Sequence, residues 1–147
     1  MIRDSLKYIG YFVLLVVLQI FVFNNVQFSS YVNPMVYVLF ILILPFEIRG
    51  WMLLIVAFVT GLTIDLFMNT LGMHTSATVA MAFARPHVIS FLSRRTDLEF
   101  KGKILMGLTG IQWYAKYAFV LVMVHHIILF YIEIFSFNHF FLTLLRV

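Results

Sequence analysis

The chain is built from apolar runs that each approach the length of a bilayer crossing, and few soluble folds can absorb such runs. Tyr8 to Val22 contains a single polar side chain, Gln19, and the stretches from Trp51 to Met68 and from Trp113 to Ile134 are nearly as apolar. A membrane-crossing helix needs roughly 20 mostly apolar residues. Composition agrees: 63% of the 147 residues are apolar and only 11% are charged. Soluble chains are about half apolar and about a quarter charged. The reading is an all-α, polytopic membrane bundle in one domain, 1–147, with no sizeable soluble part.

The absence of cysteine excludes a disulfide framework, a Cys-type zinc site and a thiol nucleophile. The net charge of +4 is no nucleic-acid footprint, because Lys and Arg in such a chain record which loops face the cytoplasm. Arg3 and Lys7 precede the first run as they would in a signal peptide. The run is longer than a signal core and no small-x-small site follows it, so it reads as a retained helix.

Six segments are expected, at about 6–23, 33–46, 51–68, 74–92, 113–134 and 137–147. The second opens on Asn33-Pro34, a cap followed by a first-turn proline. The sixth is about half a spanning length when the chain stops at Val147, and reads as an incomplete helix. Residues 93–112 form a loop whose 101–112 part, with Gly102, Gly107 and Gly110, reads as interfacial or re-entrant. Arg3, Lys7, Arg49, Arg94, Arg95, Lys101 and Lys103 fall on one side, and the loops at 24–32 and 69–73 carry no Lys or Arg. The positive-inside rule then places the N-terminus in the cytoplasm and Asp65, His74 and Glu133 toward the outer face.

Candidate functional residues gather where the third segment turns into the fourth. Ala57, Gly61, Asp65 and Asn69 follow at i, i+4 spacing, which lays small and polar groups along one face. Ser76, Ala80 and Ala84 make a second small-residue stripe. Small residues let membrane helices approach closely, so the stripes either pack this bundle or receive a partner's helix. Asp65 and His74 lie at similar depth across a turn that contains Gly72. Asp65 either bonds the His74 imidazole or accepts backbone N–H groups at the start of the fourth helix, where the helix dipole favours an anion.

Arg85, followed by Pro86, lies roughly 16 Å deeper than His74. A direct bridge to Asp65 is therefore strained, and Arg85 is expected to bond carbonyls freed nearby by the proline or to snorkel. The consecutive His125 and His126 point to different faces, so at most one looks inward with Glu133. No metal-ligand spacing, Gly-x-Ser-x-Gly or P-loop occurs, so neither a catalytic site, a metal nor a cofactor is expected.

The chain resembles MreD, the small rod shape-determining membrane protein family, in its short Bacteroidetes-type form. The resemblance rests on length, the six-segment layout with the N-terminus inside, and Gly61-x-x-x-Asp65 followed by Gly72-x-His74. It extends to Arg85-Pro86 and to the region from His125-His126 to Phe137-Asn138, and so covers essentially the whole chain. It departs from the family at Val147, where members usually carry a complete last helix.

The resemblance implies a non-enzymatic scaffold of the bacterial cell-elongation machinery in the inner membrane. Such a scaffold binds MreC and is linked through it to MreB, RodA and a class B penicillin-binding protein, with a second copy in the complex left open. The family is similar in fold to the six-helix substrate-binding components of vitamin transporters. The alternative is therefore a small-molecule binder with Asp65, Asn69, His74 and Glu133 around an outward cavity.

Overall fold

The computed structural model describes residues 2–25, 34–93 and 110–135. Its regular structure is helical throughout, with no strand among the described residues. The elements are α1 (Ile2–Leu18), running on into a π-helical turn (Gln19–Phe23), α2 (Val38–Ile43), α3 (Gly50–Met68), α4 (Met73–Ser93) and α5 (Ile111–Phe135). Three helical stretches are long and apolar enough to cross a membrane: Ile2–Phe23, Gly50–Met68 and Ile111–Ile134. The segment expected at 137–147, and the loop at 93–112 apart from Ser93 and residues 110–112, lie outside the described residues.

The most polar helix, α4, lies in the middle. It packs against both α3 and α5. Its buried residues are His74, Thr75, Ala77, Thr78, Met81, Ala82 and Arg85, which recur at three- and four-residue intervals and so form one face. Ser76 is exposed, while Ala80 and Ala84 are only half-buried. The small-residue stripe of α4 is therefore rotated off the main buried face. The reason is polar: His74, Thr75 and Arg85 need hydrogen-bond partners that hydrocarbon does not offer, and the helix turns that face inward. α4 also continues through Pro86 to Ser93.

On α3 the stripe behaves differently. Ala57, Gly61 and Asp65 are buried, and Asn69 is exposed because it is the residue that ends the helix. Asn69 adopts the left-handed conformation at φ 56°, with its N–H on the Asp65 carbonyl, a common helix stop for Asn. Gly72 follows at φ 75°, which a β-carbon would strain, and its carbonyl accepts the Ser76 N–H at 3.0 Å, opening α4.

The second segment corrects the sequence expectation. In place of a helix over 33–46, helix is confined to Val38–Ile43, six residues. Leu44, the residue before Pro45, leaves the helix at ψ 146°, as the clash with the proline ring demands. Leu44 is nevertheless buried, as are Tyr37, Val38, Phe40, Ile41 and Leu42. Irregular backbone at membrane depth survives only where protein satisfies its polar groups, so the partners of this short helix define the interior.

Candidate functional site

Three polar anchors hold the bundle together, and each joins a side chain from one helix to backbone left unpaired by another. The first is Asp65, 3% exposed, one turn before α3 stops. Its Oδ1 accepts the Thr70 hydroxyl at 2.5 Å and the His74 N–H at 3.0 Å. Its Oδ2 accepts the Thr75 N–H at 2.9 Å and the Thr75 hydroxyl at 2.5 Å. The first N–H groups of a helix have no partner within it, and the positive end of the helix dipole favours an anion. Of the two pairings open to Asp65, the geometry realises the one with the backbone at the start of α4.

Close approach makes this reach possible. A β-carbon on Gly61 would collide with the Thr75 Cα and lie 2.9 Å from the His74 carbonyl oxygen. Gly61 thus lets α3 touch the first turn of α4 with backbone against backbone, bringing Asp65, one turn further on, within reach of that turn's N–H groups.

The second anchor is Arg85, 1% exposed. Its Nε donates to the Tyr117 hydroxyl at 2.7 Å, one terminal nitrogen donates to the Pro45 carbonyl at 3.4 Å, and the other donates to the Leu44 carbonyl. Tyr117 in turn donates to the Leu42 carbonyl at 3.2 Å, and the Phe46 ring lies 5.9 Å from the guanidinium carbon. Arg85 does bond freed carbonyls, but they belong to the break at Pro45 rather than to Pro86 in its own helix. A planar fork of donors on an always-charged group suits two adjacent carbonyls.

The third anchor closes the other end of α2. Gln19, 3% exposed, accepts the Val36 N–H at 2.7 Å and the Tyr37 N–H at 3.4 Å on its Oε1. Its amide donates to Asn24 Oδ1 at 3.1 Å and to the Pro34 carbonyl at 3.4 Å. Tyr37, fully buried, then places its hydroxyl 2.9 Å from His74 Nδ1 and 2.8 Å from His125 Nε2. The His74 imidazole therefore pairs with Tyr37 and not with Asp65.

Two of the remaining expected residues are exposed, Asn69 and Glu133, and Glu133 acts on His74 through its charge. His125 is fully buried and His126 is half-buried, with Nδ1 donating to the Val122 carbonyl at 2.9 Å. Among the described residues no three metal-binding side chains come together.

Gln19, Tyr37, Thr70, Thr75 and Tyr117 are participants that the sequence reading does not single out as site residues. Gln19 carries a signal, as the only polar side chain of its run, and Thr70 and Thr75 flank the turn. Nothing local distinguishes Tyr37 or Tyr117 from the other aromatic residues. No family model, curated protein or solved structure matches this chain.

Proposed function

We propose that the chain is a non-enzymatic membrane scaffold of the kind its resemblance to MreD implies, binding the transmembrane helix of MreC in the bacterial inner membrane with its N-terminus in the cytoplasm. The observation that carries this reading is the full engagement of the two buried charges. Asp65 receives four hydrogen bonds and Arg85 donates three, almost all to backbone or to groups that fix backbone. An acid or base that acts on a substrate needs a hydrogen-bonding position open toward it, whereas these two are spent on holding α2, α3 and α4 together. The same engagement, with Asn69 and Glu133 exposed, speaks against a small-molecule cavity built on Asp65 and His74.

Ser76, Ala80 and Ala84 remain partly or wholly outside the bundle. Small residues on an accessible helix face let a second helix approach closely, so this stripe is the surface assigned to the partner. Photo-crosslinking residues placed at Ser76 and Ala80 should capture MreC when both proteins are co-expressed. A residue at the exposed Phe119 on α5 should not. Failure to recover a complex, or equal capture from all three positions, overturns the reading.

A further inference from the structure

The hydroxyl of Tyr37 lies between two imidazoles, and hydrogen counting gives this contact a direction. A phenol carries one hydrogen, so it donates to one ring and accepts from the other. A neutral imidazole likewise has one donor nitrogen and one acceptor nitrogen. Two arrangements follow. If His74 donates to Tyr37 and Tyr37 to His125, then His125 carries its hydrogen on Nδ1. Among the described residues that atom is buried without a hydrogen-bond partner, so its N–H would be orphaned. In the reverse arrangement His125 donates from Nε2 and keeps only a lone pair on Nδ1. Orphaned buried N–H groups are rarer than under-satisfied acceptors.

We propose that His125, Tyr37 and His74 form a directional clamp in which both imidazoles are neutral and protonated on Nε2, and that this clamp locks α2 onto α4 and α5. Hydrogen bonds run from His125 Nε2 to the Tyr37 oxygen, and from the Tyr37 hydroxyl to His74 Nδ1. Adding a proton to either ring undoes the arrangement. On His74 it removes the ring acceptor of the Tyr37 hydrogen and leaves only the Thr78 hydroxyl beside it. On His125 it places a charged N–H at the unpartnered nitrogen. Three charged or titratable groups act on the rings: Asp65 contacts the backbone of His74 rather than its ring, Glu133 on α5 exerts its negative charge on His74, and His126 turns its Nδ1 to Val122. The clamp ties the start of α2 to α4 and α5 between the anchors of Gln19 and Arg85, and loss of one link loosens that tie.

The clamp is tested on the full chain in lipid nanodiscs in two ways. Nitrogen NMR of ¹⁵N-histidine-labelled protein at neutral pH reads the tautomers directly. His74 and His125 are both expected as neutral rings protonated on Nε2. Finding His125 protonated on Nδ1 or on both nitrogens overturns the proposal. The second test exploits the lack of native cysteine: Ile41→Cys, on the buried face of α2, is alkylated with a membrane-permeant maleimide. The rate should rise about tenfold in Tyr37→Phe, the scale of one to two lost hydrogen bonds. It should stay low in His74→Asn, whose side-chain oxygen replaces the Nδ1 acceptor, and rise in His74→Leu. Equal rates in Tyr37→Phe and the parent, or in His74→Asn and His74→Leu, overturn the clamp.

Discussion

Gly61 and Thr75 bring the backbones of α3 and α4 into direct contact: a β-carbon on Gly61 would meet the Thr75 Cα and lie 2.9 Å from the Thr75 amide nitrogen. Every atom it would meet is backbone, so nothing can swing aside. Gly61→Ala should therefore destabilise the bundle by about 1–3 kcal/mol, the usual cost of overpacking, despite alanine's better helix propensity. Gly10 is the control, because a β-carbon there meets nothing within 4 Å. Unfolding by SDS in mixed micelles should show a lowered midpoint for Gly61→Ala and an unchanged or raised one for Gly10→Ala.

Asp65 should behave as a folding residue rather than a binding residue. Asp65→Ala leaves four donors without an acceptor, and unsatisfied buried groups cost roughly 1–3 kcal/mol each. Asp65→Asn presents an amide N–H₂ to donors on one side and loses part of the same set. Membrane abundance should fall in both variants, more steeply in Asp65→Ala. Normal abundance with loss of partner co-purification would instead move Asp65 to the interface.

Arg85 should tolerate no substitution, including lysine. Arg85→Lys keeps the charge but has no planar fork to span the Leu44 and Pro45 carbonyls while also reaching Tyr117. Arg85→Leu leaves those carbonyls without donors. Both should lower the thermal midpoint in detergent, by the equivalent of about 2–4 kcal/mol for Arg85→Leu. Tyr117→Phe, which removes a single hydroxyl, should cost about 1 kcal/mol.

Gln19, from another helix, holds the turn at Val36 and Tyr37 that leads into α2. Gln19→Leu removes the acceptor for Val36 and Tyr37 and should cost about 1 kcal/mol, as loss of an ordinary helix cap does. Gln19→Glu keeps an acceptor for both N–H groups while losing the donor to Asn24 and Pro34. Its thermal midpoint should fall between those of the parent and Gln19→Leu, and equal midpoints for the two variants would refute the acceptor role at this turn.

The resemblance to MreD is carried by local words such as Gly61-x-x-x-Asp65 and Arg85-Pro86, and these sit at two of the anchors. Such words mark positions in the sequence without showing what they touch. Asp65 left two pairings open in the sequence because helix spacing places both the imidazole and the first N–H groups of α4 within reach of a carboxylate. The contact at Gly61 decides between them by drawing α3 onto the backbone of the first turn. The stripe Ser76, Ala80 and Ala84 was open in the sequence to packing this bundle or to receiving a partner's helix, since small size was the visible criterion. The demand of His74, Thr75 and Arg85 for partners outweighs it and turns α4 toward the interior through those residues.

What the sequence determined by itself was the class of molecule and the positions of its helical breaks. Apolar runs of spanning length leave helix as the economical state in hydrocarbon, and Asn69, Gly72 and Pro45 stop or redirect the chain through their own backbone geometry. The tertiary structure decided who satisfies those breaks. Gln19 and Pro34, Tyr37 and His125, and Leu44 and Arg85 are separated by 15, 88 and 41 residues. A hydrogen bond between such distant residues leaves no periodic trace in the chain. It exists because packing brings donors to a short helix that neither end of its own backbone can complete.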